Sequence, residues 1–192
     1  MDKIYFVTSN QSKFNEYKER FFAVGYELIQ QDANLDEGRS MKIKDVIDLK
    51  IEQAKKLLPS KKIIVDDRGF FVDGLKGFPG PYVKLALSTV GIEGIIKLLA
   101  DNPNRKASFL TGVAYFDGNE IHYFIEEEVG FITDSIKGDN IRGWTDILKI
   151  YGYPGVSSTK SLAQYSDAEW DSYNTMITKE DQLQKLLDFL KN

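Results

Sequence analysis

An α/β fold with a mixed sheet is what the 192-residue sequence predicts, on three observations. Short β-branched and aromatic runs alternate with amphipathic helical stretches in the early part of the chain, the pattern of strands joined by helical crossovers. A hairpin signal occupies the middle and adds strands of the opposite direction. Two polar segments, "TSN" and "DDRG", each follow directly on an apolar strand-like run. In open α/β sheets that is where ligands bind.

Taken in order, residues 3–7, "KIYFV", form a short buried strand that ends at a turn-forming Ser-Asn pair. Ser12 to Phe22 places Phe14, Tyr17, Phe21 and Phe22 at helical spacing with charge on the other face, and Gly25 stops the helix. "YELIQQ" supplies a second strand, and the acidic stretch "DANLDEGRS" has no periodicity. From Lys44 to Leu58, the positions Val46, Ile47, Leu49, Ile51, Ala54, Leu57 and Leu58 suit a helix that Pro59 ends. Lys61 to Val65 form a core strand running into "DDRG", where Gly69 is expected to let the backbone turn sharply. "GFPGPY", residues 77–82, is a rigid loop, and helix follows from Val83 to Leu99 with an interruption at Gly91. "ASFLTGVAYF" and "EIHYFIEEEVGFI" are strand-like on either side of "DGN", a type I′ hairpin signal. Beyond Lys137 the glycine-rich "KGDNIRGWTDILKIYGYPGVSS" yields no assignment, and Lys179 to Leu190 form an amphipathic helix through Leu183, Leu186, Leu187 and Leu190. At this length one domain over residues 1–192 is expected.

Composition narrows the function classes. With 42% hydrophobic and 28% charged residues the chain is of ordinary globular type. A net charge of −4 argues against broad capture of nucleic acid or an anionic membrane. Without cysteine there are no disulfides, zinc–thiolate sites or cysteine nucleophiles, so a metal would be held by oxygen ligands or by the single His122. The N-terminal run turns polar at Thr8 without the pattern of a signal peptide, and no stretch approaches the roughly 20 apolar residues that span a bilayer. A cytoplasmic protein is expected.

In "TSNQSK", hydroxyl, amide and backbone N–H donors gather at a helix N-terminus, whose partial positive charge favours a phosphate, and Lys13 adds a full charge one turn in. A plain N-cap beside a solvated lysine explains the same residues. Asp66 and Asp67 repel each other unless a divalent cation or cationic pocket neutralises them, and Mg²⁺ suits such a pair because it completes its shell with water and phosphate. A solvated acidic turn is the competing reading. Asp36 and Glu37 are further carboxylates, Lys50 by default is a surface lysine, His122 has no evident partner, and Glu126, Glu127 and Glu128 read as solvated strand-end charge.

Together these pieces resemble a known family. "TSNQSKFNE" is similar to the opening signature of the inosine triphosphate pyrophosphatase (Ham1-like) family, which has Asn, Lys three residues on and Glu three further. "VDDRGFFVDGLKGFPGPYVK" resembles its second block, an acidic pair, Gly, an apolar run and Gly-x-Pro-Gly-x-Tyr, with "DEG" and Lys50 between the two blocks. The resemblance implies an elongated two-lobed α/β fold with a central cleft, a homodimer, and Mg²⁺-dependent hydrolysis of a nucleoside triphosphate to monophosphate and pyrophosphate. It further implies that Thr8, Ser9, Asn10 and Lys13 bind the triphosphate with Lys50, that Glu37, Asp66 and Asp67 hold the metal, and that Asp67 is the general base.

Three departures stand out. Arg68 follows the acidic pair where the family has Ser or Thr, and is assigned to phosphate or to Asp66. In "RGWTD", Gly143 and Trp144 are kept for substrate, but Arg142 replaces a stacking aromatic and Thr145 an acid. The family's C-terminal Lys and Ser-His-Arg have no counterpart near Trp170 and Asn174, Thr175 and Met176. Losing a matched donor set changes specificity by orders of magnitude, so an inosine or xanthosine preference is not expected to carry over. The same departures leave open a nucleotide-binding or regulatory homologue that has lost catalysis.

Overall fold

The structure, a computed structural model, describes residues 1–139, 142 and 145–191. In chain order the elements are β1 (Asp2–Val7), α1 (Gln11–Ala23), β2 (Tyr26–Gln31), α2 (Ile43–Leu57), β3 (Ile63–Val72), β4 (Pro79–Gly80), α3 (Val83–Thr89), α4 (Gly91–Leu98), β5 (Lys106–Phe116), β6 (Ile121–Ile132), β7 (Tyr151–Gly152), α5 (Asp167–Thr178) and α6 (Gln182–Lys191). The sheet has the order β2-β1-β3-β5-β6-β7, with β4 paired to β3. β1 is parallel to both β2 and β3, while β4 and β7 run antiparallel to β3 and β6, so the sheet is mixed as the sequence predicts. Among the described residues no helix is long and apolar enough to cross a membrane.

This order puts a reversal at β1. The chain leaves β1 through α1 to β2 on one side, then returns through α2 past β1 to β3 on the other. Right-handed crossovers in opposite directions place α1 and α2 on opposite faces, and the end of β1 beside β3 is the switch point where α/β sheets hold ligands.

Four sequence expectations need correction. "DDRG" does not follow the third strand; it lies inside β3. Tyr5 pairs with Ile63 and Phe6 with Ile64, and β1 stops at Val7, so this register carries Asp66 and Asp67 past the end of β1 rather than of β3. Gly69 does not turn the chain. A Cβ there would come within 2.7 Å of the Phe71 ring and 2.9 Å of the Gly80 carbonyl carbon, so glycine is needed for the close approach of β4. The β5–β6 hairpin forms, but only Gly118 in its loop has positive φ (+109°), whereas a type I′ turn needs two such residues; the Asp117 side chain instead accepts from the N–H groups of Asn119 and Glu120. Finally, α5 received no assignment, although Trp170, Tyr173 and Ile177 recur there at helical spacing and pack on the core. Its signal was the capping box Ser166-x-x-Glu169.

The chain divides into two compact units, one of Met1–Arg68, Thr111–Glu126 and Glu180–Asn192, the other of Gly69–Leu110 and Glu127–Lys179. In the first, Phe14, Tyr17 and Phe21 of α1 pack with Ile4, Phe6 and Ile64 of the sheet and with Leu183, Leu186 and Leu187 of α6. Phe22, expected on that face, is exposed. α2 buries Ile43, Val46, Ile47, Ile51 and Ala54, and leaves Leu49 and Leu57 exposed. In the second unit Phe70, Phe109 and Tyr151 form an edge-and-tilt aromatic cluster with centroids 4.8–5.7 Å apart, and Gly91, at φ +66°, separates α3 from α4 as expected.

Candidate active site

The residues singled out around the two motifs meet in the first unit. Asn10 is the N-cap of α1: its side-chain oxygen accepts the Lys13 N–H at 3.1 Å, and its own N–H donates to Thr8 Oγ1 at 3.1 Å. The cap reading of "TSN" therefore holds, and it leaves the remaining first-turn amides of α1 pointing outward beside exposed Ser9. One turn on, Lys13 is not merely solvated. Its Nζ lies 2.8 Å from Asp66 Oδ2, and Tyr17, a further turn along the same face, directs its hydroxyl to that oxygen at 3.5 Å. Tyr17 is buried and stacks on Phe6 at 4.7 Å; burial, reinforced by Asp66, pushes its pKa well up and keeps it a neutral donor.

Asp67 points the other way, as strand alternation requires, and meets α2. Lys50 is no surface lysine: it is 9% exposed, on the stripe formed by Val46, Ile47, Ile51 and Ala54. Its Nζ lies 3.1 Å from Asp67 Oδ1, 2.8 Å from Glu37 Oε1 and 3.4 Å from the Asp66 carbonyl oxygen. Glu37 is brought there by Gln53. One turn along α2 from Lys50, Gln53 accepts the Asp36 N–H at 2.9 Å and donates to the Asp36 carbonyl at 2.8 Å. Asp36 itself closes the loop by accepting the Gly38 N–H at 2.9 Å, which spends one carboxylate oxygen on structure. α2 can lie this close because β5 carries Gly112, where a Cβ would come within 2.7 Å of Ile43 Cγ2 and 3.0 Å of Ile47 Cδ1.

The electrostatics of this cluster follow from burial. Removal from water raises the Asp67 pKa, opposed by Lys50 and Lys13 and reinforced by Glu37. For Lys50 burial works against the charge, but Asp67 and Glu37 outweigh it and hold its pKa above the ordinary lysine value. Asp67 Oδ2 is buried with no hydrogen-bond partner among the described residues, an expensive state unless something else uses that oxygen.

A divalent cation fits here. Glu37 Oε1 and Asp67 Oδ1 already converge on one positive centre, the Lys50 ammonium, and Mg²⁺ needs only one or two carboxylates. Asp66 does not join them, since its side chain is turned to Lys13. Among the described residues, the one set of three metal-type side chains whose ligand atoms all lie within 4.8 Å of one another is Asp117, Glu120 and His122. His122 thus has partners that the sequence did not suggest: Asp117 Oδ2 at 3.0 Å and the Phe189 ring at 4.5 Å.

Arg68 shares the α1 face with Asp66. Its Nε donates to Thr111 Oγ1 of β5 at 2.6 Å, and its charge bears on Glu16 and Tyr17. In the second unit, Arg142 is tied to the start of α5: it lies 2.5 Å from Asp167 Oδ1, donates to the Ser166 carbonyl at 3.2 Å and sits 5.9 Å from the Trp170 ring. Thr145 is buried and accepts the Ile147 N–H at 3.3 Å, a capping role. Gly143 and Trp144 lie outside the described residues. Of the three consecutive glutamates, Glu126 pairs with Lys185 and Glu128 accepts the Tyr173 hydroxyl at 2.8 Å, so two of them are structural partners.

Tyr17, Gln53, Thr111 and Gly112 are the residues that sequence reasoning missed. Tyr17 and Gln53 were within reach, being one turn from Lys13 and Lys50 on the same helices. Thr111 and Gly112 carried no local signal.

Known proteins resemble this chain over most of its length. The dITP/XTP pyrophosphatase of Thermococcus kodakarensis is 34% identical over 154 residues, covering 79% of this chain and 81% of its own. The inosine triphosphate pyrophosphatase of Candida glabrata is 31% identical over 180 residues, covering 91% and 90%. The structure of a HAM1 protein from Coxiella burnetii superposes with a TM-score of 0.80 at 20% identity, covering 99% of this chain and 98% of that one. The model of the Ham1 family matches residues 4–187, and the chain belongs to that family.

Proposed function

We propose that the protein is an Mg²⁺-dependent nucleoside triphosphate pyrophosphatase, splitting a triphosphate between its α and β phosphates to give the monophosphate and pyrophosphate. The observation that carries this reading is the back-to-back arrangement on β3 of two buried carboxylates, each with its own lysine: Asp66 with Lys13 and Asp67 with Lys50. A polyanion needs its charge met before water can attack it, and here two cations flank a carboxylate suited to take a proton. The names of the curated relatives point the same way.

Each residue then has a task. The outward amides of α1, Thr8, Ser9, Asn10 and Lys13 grip the phosphates, with Asp66 and Tyr17 fixing Lys13 and Arg68 adding charge on the same face. Glu37 and Asp67 are the residues that would hold Mg²⁺, which would offset phosphate charge there. Asp67 Oδ2, without a hydrogen-bond partner among the described residues, accepts a proton from the attacking water. Lys50 supplies a second cation for the phosphates. Gly143 and Trp144 remain assigned to substrate on sequence grounds alone.

We read the accepted base as one other than hypoxanthine or xanthine. Arg142 is engaged by Asp167, Ser166 and Trp170, and Thr145 is a buried cap, so neither replaces the group it substitutes in the sequence pattern. Residues 1–192 are taken as one catalytic domain, a cytoplasmic homodimer that engages neither nucleic acid nor membrane; light scattering and cell fractionation check those points.

The experiment is a panel of canonical, deaminated and methylated purine and pyrimidine triphosphates assayed for pyrophosphate with and without Mg²⁺. Turnover of at least one member, abolished by removing the metal, is expected. Tight nucleotide binding by calorimetry with no turnover of any member would instead establish a binding protein that has lost catalysis.

A further inference from the structure

We infer that Lys50 is a resident counter-ion: its ammonium holds the place between Glu37 and Asp67 that a divalent cation takes, and is displaced towards the substrate phosphates when that cation enters. The inference rests on the reading of this site as the metal site. Its basis is that the two carboxylate oxygens best placed for a metal, Glu37 Oε1 and Asp67 Oδ1, are the two that the ammonium occupies, at 2.8 and 3.1 Å.

The two cations exclude each other. Mg²⁺ sits about 2.0–2.1 Å from its oxygens, so an ion on both oxygens and an ammonium on both would lie within about 4 Å, where like charges repel strongly in a buried setting. Lysine is built for leaving. Its four-carbon stem is flexible, so Nζ moves several ångströms while its Cα stays fixed in α2, and its compact charge serves equally well against a carboxylate or a phosphate. Entry is open from the Glu37 side, whose side chain is half exposed on the loop, whereas Asp67 is closed in.

The arrangement also explains how a buried Asp67 is tolerated before any metal arrives. With Lys50 absent and no cation present, buried Asp67 would lose its nearest counter-charge while still facing Glu37, a costly setting for a buried carboxylate. Occupancy by Lys50 keeps the site formed at the expense of weaker metal binding in the free protein. Once triphosphate is present the displaced ammonium gains a new partner, so cation and triphosphate strengthen one another's binding.

The test needs no nucleotide. Mn²⁺ is titrated into wild type and Lys50→Met, with free Mn²⁺ followed by electron paramagnetic resonance. The variant is expected to bind Mn²⁺ about tenfold more tightly, within the usual range of coupling between sites. Equal or weaker binding, or no saturable binding to either protein, overturns the inference. Wild type alone supplies a second measurement: acylation of Lys50 by a small amine-reactive reagent, read by mass spectrometry, should rise severalfold when saturating Mg²⁺ is added. Unchanged or reduced labelling overturns the inference as well. Failure of every triphosphate to turn over would count against the pyrophosphatase reading but leave both measurements intact, so the two fail separately.

Discussion

Asp66 and Asp67, neighbours in sequence, face opposite sides of β3: Asp66 Oδ2 meets Lys13 of α1 at 2.8 Å and Asp67 Oδ1 meets Lys50 of α2 at 3.1 Å. Their substitutions should therefore behave differently. Asp67→Asn removes the proton acceptor, and kcat for pyrophosphate release is expected to fall roughly 10²–10⁴-fold with KM changed little. Asp66→Asn releases Lys13 from its fixed position, so KM for the triphosphate should rise about three- to tenfold while kcat stays within about tenfold of wild type. Equal losses in both variants would sink the division of labour.

Gln53 gives a test of how the loop contributes. It holds the Asp36 backbone from both sides and thereby presents Glu37 to Lys50. Gln53→Ala keeps every charged group but frees the loop. The Mg²⁺ concentration for half-maximal turnover should rise several-fold, with a stability loss of only about 1 kcal/mol by urea unfolding, the worth of one or two partly exposed hydrogen bonds.

Much of this was legible in the sequence, and the failures have a common cause. The mixed sheet, α1, α2 and the break at Gly91 follow from local periodicity and turn chemistry. Lys50 was misjudged because a charge is assigned to solvent unless its partners are visible, although its spacing from Val46 and Ala54 places it on the buried stripe. "DDRG" was taken as a strand end because two acids in mid-strand look impossible until lysines from two helices are supplied, and those contacts are not local. Lys50 and Asp67 stand 17 positions apart, and Lys13 lies farther still from Asp66, separations that one sequence cannot pair. In α5 Trp170, Tyr173 and Ile177 recur at helical spacing, only Tyr173 being buried, and the capping box marks where the helix begins.

Gly112 links packing to the site. An added Cβ would press on Ile43 Cγ2, which is fixed to the helix and cannot swing aside, so α2 itself must move. Gly112→Ala is expected to cost about 1–3 kcal/mol in urea unfolding. Because Lys50 and Gln53 ride on α2, turnover of the folded variant should fall as well, and a stable variant of unchanged activity would show that α2 tolerates the shift.

Glu169 makes stability depend on pH. The hydrogen bond from Lys160, with further bonds from the Ser166 backbone and hydroxyl, holds its carboxyl down at about 2, below the roughly 4.3 of an unperturbed glutamate. A depressed folded-state pKa stabilises the fold above the unfolded value, and that contribution fades as pH falls from about 4.3 towards 2. Glu169→Gln retains reach to the Ser166 N–H but loses the charge and with it the attraction of Lys160, which lies 2.6 Å away. The variant should unfold at lower urea than wild type at pH 7, and the gap should close as pH drops through that window. Since the bonds involved sit at the first turn of α5, amide hydrogen exchange in Asp167–Thr178 should quicken in the variant at neutral pH while exchange in α1 stays as it was. A gap that persists unchanged to pH 2 would mean that the carboxylate charge plays no part in holding α5.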